Sequence, residues 1–285
     1  NKLKLYKDNP GVYDAWDILP NYKDREVEVK ILSPLKTIEK NSEVVSFACT
    51  LATEKSTWKR IIRVFRQSRG IEVENIVDWN EKHVLAKAQF DCNVLTRKAV
   101  CDTSAGFTER ETHRNTTWQQ ARFECCHHKW CDMSETGGGI AIINDGKYGA
   151  GFHKNVMSLS LLRATIRPDV VSDMGEHNFC YMIMPHDGDA VSAKINNLAF
   201  QYNVPLVKAD VEWKLPTFEP LYLQSAKRSE DGTMTVIRLS EQDGRRGKIV
   251  LDSKVKILNM LEEVTGEADV IEYKPFEIIT IGINS

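Results

Sequence analysis

The chain has 285 residues, 42% of them hydrophobic and 27% charged, with a formal net charge of −2. That length suits one large β domain or two moderate ones, and the near-neutral balance supplies no basic field to hold nucleic acid or anionic lipid. The longest apolar runs, Gly137 to Ile143 and Phe179 to Met184, are too short to cross a bilayer, so no membrane span is expected.

The first residues, NKLKLYKDNP, lack the apolar core of a signal peptide and do not start with Met, so the chain is expected to begin inside a longer protein. Pro10, Gly11 and Pro20 surround Tyr13 and Trp16, which reads as an ordered crossing segment rather than a strand. From Glu26, EVEVKIL alternates charged and apolar side chains and places Val27, Val29 and Ile31 on one face of a strand. The same signal recurs at Val44 (VVSFACTL), Thr57 (TWKRIIRVFRQ), Gly70 (GIEVENIVDW) and Val84 (VLAKAQFDCNV), with polar turns at Glu39–Glu43 and Asn80–Lys82. Trp58, Ile61, Ile62 and Phe65 also fit helical spacing, but the β-branched Thr57, Ile61, Ile62 and Val64 favour a strand. Regular short strands with few helical windows predict an antiparallel sandwich.

Glycine, histidine, tryptophan and Asp/Asn pairs concentrate between Phe107 and Gly188, the composition of strands that carry a polar site on their loops. Asn144-Asp145-Gly146 is strong hairpin chemistry, and Gly137-Gly138-Gly139 reads as a flexible turn before the strand IAII. CCHHKWC, from Cys125 to Cys131, is rich in metal-ligand types. Alternation along a strand splits them between two faces, so no metal site is expected and free, partly buried cysteines are the reading. Seven cysteines without regular spacing agree with a reducing, cytoplasmic setting. Trp118, Phe123, Trp130 and Phe179 are expected to fill the space between two sheets, and Arg163 and Arg167 to hold a loop by an ion pair. No nucleophile motif or phosphate loop appears, so no residue is assigned a catalytic role.

Beyond the central stretch, the prolines of NNLAFQYNVPL and WKLPTFEPLY break the strand rhythm, which sets a domain boundary between Lys208 and Pro220. The following TMTVIRLSEQDGRRGKIVLD is expected to turn at Asp243-Gly244 as a hairpin, and Asn259–Val264 as one helical turn before the last strands.

Several fragments, in order along nearly the whole chain, resemble the C-terminal β region of the family 38 glycoside hydrolases, the α-mannosidases. They include DAWDI at Asp14, VDWNEKHVLAKAQF at Val77, ERETHRNTTWQQARFECCHHKWCDMSE at Glu109, GIAIINDGKYGAGF at Gly139, LSLLRATIRPD at Leu159, SDMGEHNFCYMIMPHDGD at Ser172 and PFEIITI at Pro275. The variant resembled is the cytosolic and bacterial branch. The resemblance implies an all-β chain, a galactose-mutarotase-like supersandwich over residues 1–210 followed by a smaller C-terminal β-sandwich over residues 211–285. It also implies a retaining α-mannosidase whose carboxylate nucleophile and zinc ion lie in an N-terminal catalytic domain that these residues do not include. This part alone is therefore expected to be inactive, with no cofactor of its own, since glycoside hydrolysis needs both carboxyl groups across one bond. Its partners would be its own N-terminal catalytic domain and a mannose-containing oligosaccharide, and a homo-oligomer is compatible with the same reading. Asp173, Gly175 and His177 of DMGEH, with Lys147 and Tyr148 of NDGKYG, are the residues expected at the rim of the sugar pocket. The rival reading gives Asp173 and His177 only backbone groups to satisfy. Two other functions compete, a stand-alone carbohydrate-binding module and a sugar epimerase using Glu176, His177 and His186.

Overall fold

A computed structural model describes residues 1–206, 208 and 217–284. The first half contains β1 (Lys2–Lys7), β2 (Glu26–Val27), β3 (Lys30–Lys40), β4 (Val44–Ala52), β5 (Thr57–Phe65), β6 (Ile71–Trp79), β7 (Val84–Asp91), β8 (Lys98–Thr103) and β9 (Gly106–Glu111). Then follow α1 (Thr117–Ala121), β10 (Cys125–Cys126), β11 (Trp130–Glu135), β12 (Gly138–Asn144), β13 (Gly149–His153), β14 (Val156–Arg163), β15 (Gly175–Asp187) and α2 (Ile195–Asn203). The last strands are β16 (Tyr222–Arg228), β17 (Met234–Ser240), β18 (Gly247–Leu258), β19 (Val264–Tyr273) and β20 (Ile278–Asn284).

The strands build three sheets among the described residues, ordered β10-β13-β14-β7-β1-β2, β3-β4-β5-β6-β15-β12-β11-β8-β9 and β16-β17-β20-β18-β19. Two compact units result: Asn1–Asp102 with Glu109–Pro205, and Thr103–Thr108 with Leu206–Ser285. The boundary expected between Lys208 and Pro220 falls mostly on residues outside those described.

In the first unit the six- and nine-stranded sheets share one core. Val73, Val77 and Trp79 of β6 face it at every second position, as the alternation of GIEVENIVDW requires, and meet Ala86, Ala88, Phe90, Met157 and Leu159. Trp58 stands edge-to-face against Trp79 at 5.9 Å and Phe179 at 6.0 Å, while its indole N–H donates to the buried Asn75 carboxamide at 2.9 Å. β7 is buried on both faces, which brings Lys87 into the interior with 1% of its side chain exposed. Its ammonium is held by Glu124 at 2.6 Å and Ser160 at 3.0 Å and lies over the Tyr22 ring, supplied by the crossing segment before β2. A buried cation persists only with such partners.

In the second unit β17, β20 and β18 form the middle of the sheet around Ile237, Leu239, Ile249, Ile271 and Ile281. The pairing of β18 with β19 jumps register between Val250 and Val255, a bulge that bends the strand. The Glu241 carboxylate, buried, accepts backbone N–H groups from Asp243 at 2.8 Å, Gly244 at 3.0 Å and Phe276 at 2.9 Å. That clamp fixes the turn after β17.

Five local expectations are corrected. EVEVKIL is not one strand: β2 pairs with β1 and β3 with β4, so Val27 and Ile31 belong to different sheets and Ile31 is 69% exposed. Asp243-Gly244 does not close a hairpin, because β20 lies between β17 and β18. Asn259–Val264 is the tight connection from β18 to β19, closed by the Asn259 N–H on the Glu263 carbonyl at 3.0 Å, not a helical turn. Residues 195–203, read only as a break in strand rhythm, form α2, whose Ile195, Asn196 and Ala199 are buried at helical spacing. Trp118 sits on the outside of α1, 76% exposed, and fills no inter-sheet space.

Candidate functional site

The link from β12 to β13, Asn144–Gly149, joins strands of different sheets and is therefore not the hairpin its turn chemistry suggested. Asn144 anchors it: the buried carboxamide oxygen accepts the N–H of Gly146 at 2.9 Å and Lys147 at 2.6 Å, and its amide nitrogen donates to the His128 carbonyl at 2.8 Å. Asn203 of α2 adds a bond to the Asn144 carbonyl at 3.0 Å. Gly146 takes φ +132°, a conformation closed to L side chains, and a Cβ on Gly149 would come within 2.9 Å of Ser160. Lys147 and Tyr148 are thus presented from a rigid scaffold.

These two residues, with Asp173, Arg163, Glu124 and Cys126, line a cleft of about 560 Å³. Lys147 is half-buried with its ammonium 4.3 Å from the centre of the Phe179 ring. Burial pushes its pKa down, and the carboxylates of Asp173 and Asp145 oppose that. Tyr148 is 54% exposed, its ring tilted against His128 at 5.7 Å. Asp173 has φ +58°, and one carboxylate oxygen accepts the Arg163 N–H at 2.8 Å. The Arg163 guanidinium turns away to Asp8 at 2.7 Å and to the Asp17 carbonyl. The ion pair expected of Arg163 is therefore made with Asp8 of the crossing segment.

Of the five residues expected at the rim, Lys147, Tyr148 and Asp173 meet in this cleft. Gly175, at φ +114°, opens β15 opposite Trp79, and His177 lies opposite Val77, its Nε2 2.8 Å from the Asp173 carbonyl. His177 serves the turn that holds Asp173 and stands outside the lining. Glu124, Arg163 and Cys126 were not assigned to a site from sequence; Glu124 carries no periodic signal, and only the fold brings it from α1–β10 to Tyr22, whose hydroxyl it accepts at 2.7 Å. It accepts Lys87 as well.

The epimerase grouping does not assemble. Glu176 and His177 pair with β6 at the start of β15, whereas His186 lies opposite Gly139, nine residues and therefore roughly 30 Å further along the strand. His186 instead bonds the buried Asp132 carboxylate at 2.7 Å, and Ser134 donates to the other Asp132 oxygen. Burial pulls the His186 pKa down, but the bond to Asp132 and its charge more than offset this and leave it raised.

All seven cysteines are free thiols. Cys131 is fully enclosed and its pKa is pushed well up by burial, while Cys126 is exposed. Among the described residues no group of three or more His, Cys, Asp or Glu is placed to hold a metal ion, and no helix is long and apolar enough to cross a membrane.

The family model for the "Glycosyl hydrolases family 38 C-terminal domain" matches residues 1–171, and that for the "Glycosyl hydrolases family 38 C-terminal beta sandwich domain" matches residues 220–281. Similar relatives include Alpha-mannosidase 2C1 of Mus musculus, 31% identical over 86% of this chain and 25% of that protein. Alpha-mannosidase of Saccharomyces cerevisiae is 33% identical over 81% of this chain and 23% of that protein. The chain thus spans about a quarter of the length of these relatives. Among solved structures, an alpha-mannosidase from Enterococcus faecalis superposes with a TM-score of 0.80 at 14% identity, over 98% of this chain and 38% of that one, which shows the fold. The all-β architecture and the two matched segments agree: this chain belongs to glycosyl hydrolase family 38, as its C-terminal region.

Proposed function

We propose that this chain is the non-catalytic C-terminal part of a retaining α-mannosidase and supplies one wall of its sugar pocket through Lys147, Tyr148 and Asp173. The observation that carries the reading is the convergence of these three side chains on one cleft, two of them on a loop anchored by Asn144. Their chemistry suits a neutral sugar. The Asp173 oxygen not used by Arg163 accepts a hydroxyl, the Lys147 ammonium donates to one, and the half-exposed Tyr148 ring offers an apolar face to a pyranose. The catalytic carboxylates and the zinc ion are assigned to an N-terminal domain of the parent protein, a reading supported by this chain's span of only about a quarter of the length of its relatives. Seven free thiols support a cytoplasmic setting, and the relatives' name, alpha-mannosidase, supports action on mannose-containing oligosaccharides.

The test uses the full-length protein. Lys147→Met and Asp173→Asn should each raise KM for a mannotriose about tenfold with kcat little changed, the loss of one charge-assisted hydrogen bond. Asn at 173 keeps both the left-handed backbone and an acceptor for the Arg163 N–H. Unaltered KM in both variants would remove these residues from the sugar site, and robust zinc-dependent turnover of an aryl α-mannoside by residues 1–285 alone would overturn the non-catalytic role.

A further inference from the structure

A second cavity, of about 900 Å³, lies in the first unit away from the cleft just described. Gly149 of β13 lines the first, whereas Lys154 and Asn155 beyond its other end line the second, a separation of roughly 17 Å along an extended strand. Three connections meet there: 92–97 between β7 and β8, 112–115 between β9 and α1, and the turn from β13 to β14.

These connections are bound to one another through their backbones. Cys92 N–H donates to the Asn155 carbonyl at 2.9 Å and the Asn155 amide returns to the Cys92 carbonyl at 3.1 Å. Thr112 N–H donates to the Arg97 carbonyl at 3.0 Å, Lys154 N–H to the Thr112 carbonyl at 2.6 Å, and Leu95 N–H to the Glu135 carboxylate at 2.7 Å. A cradle laced in this way loses little entropy when it closes on a ligand.

The side chains left over are donors. Arg97, Lys154, Asn93 and Asn115 line the cavity, and their side chains have no hydrogen-bond or ion-pair partner among the described residues. The one carboxylate in the lining, Glu135, is engaged by Leu95. The lining thus carries the cations Arg97 and Lys154 against the single carboxylate Glu135, and the neighbouring His153 is held below its ordinary pKa by burial and then by the charges of Arg114, Lys23 and Lys154. Leu95, 84% exposed, stands at the opening.

We propose that this cavity is a second ligand site that takes a sugar bearing an oxyanion, a hexose phosphate being the simplest form. Arg97 presents a planar fork to two phosphate oxygens and Lys154 adds a point charge. The Asn93 and Asn115 amides reach sugar hydroxyls, and Leu95 covers the apolar edge of the ring. The site is independent of the mannoside cleft and of the activity proposed for it.

Isothermal titration of the full-length protein with mannose 6-phosphate, inorganic phosphate and mannose tests this. Mannose 6-phosphate should bind most tightly and mannose weakest, and binding should weaken as salt rises. The double variant Arg97→Ala with Lys154→Gly should lose at least about tenfold in affinity; glycine suits φ +54° at position 154, and both side chains are exposed. Should circular dichroism show that variant unfolded, the exposed Arg97→Ala alone carries the same expectation. In the part of the binding that the folded variant loses, mannose as tight as mannose 6-phosphate or inorganic phosphate as tight as the sugar phosphate would overturn the proposal, as would full affinity for mannose 6-phosphate in that variant.

Discussion

Asp132 and His186 show how two ordinary residues acquire a pH-dependent role by burial. The imidazole pKa is raised in the folded chain, so the pair's stabilisation is complete below the unfolded value of about 6.5 and is lost as pH rises through the folded one. His127 has the opposite sign: burial pushes its pKa down to about 4, so its contribution is present above about 6.5 and is lost as pH falls toward 4. Melting temperature measured from pH 6 to 8 should therefore fall more steeply in the parent chain than in Asp132→Asn, whose slope flattens. Equal slopes would mean that Asp132 does not raise the His186 pKa. The thiols are separable in the same way. Iodoacetamide at pH 8, followed by mass spectrometry, should modify exposed Cys126 and leave the enclosed Cys131 intact in the folded protein. Labelling of Cys131 at the same rate would contradict its burial.

At the scale of elements, periodicity found the strands and failed at the connections. Val73, Val77 and Trp79 alternate because β6 packs one face on the core, and that pattern is visible in the letters alone. NDGKYG and DGRRG carry equally clear turn signals, yet neither closes a hairpin, because turn residues report a reversal of the chain and not which strand lies beyond it. α2 was hidden for a related reason: nine residues hold few helical repeats, and the following Pro205 dominated the reading. The site was partly legible. Lys147, Tyr148 and Asp173 were marked by their loops, while Glu124 depends on Tyr22 and Lys87, far away in sequence. The anchor of the loop makes a prediction of its own. Asn144→Ala removes two acceptor bonds and one donor bond in a buried place and should destabilise the first unit by about 2–3 kcal/mol. Urea denaturation measures it, and a change below about 0.5 kcal/mol would show the loop held by other means.

On the scale of the molecule, β3 ends the nine-stranded sheet with Ile31, Leu32, Leu35 and Ile38 between 55% and 69% exposed. An apolar edge of this kind is an association hazard in a chain studied apart from its parent. Ile31→Lys with Leu35→Lys in residues 1–285 should lower self-association by light scattering and leave stability within about 0.5 kcal/mol. Unchanged association would locate the contact elsewhere.

The passage of Asn144–Gly149 from one layer of the sandwich to the other has an evolutionary corollary. A loop with both ends in one hairpin can lengthen freely, but this one is tethered at its start to His128 and at its end packs against Ser160, so an added residue would have to be absorbed in two sheets at once. Insertions and deletions among family members should gather at surface turns such as Asn259–Glu263 and spare this crossing, whose fixed span keeps Lys147 at a constant reach.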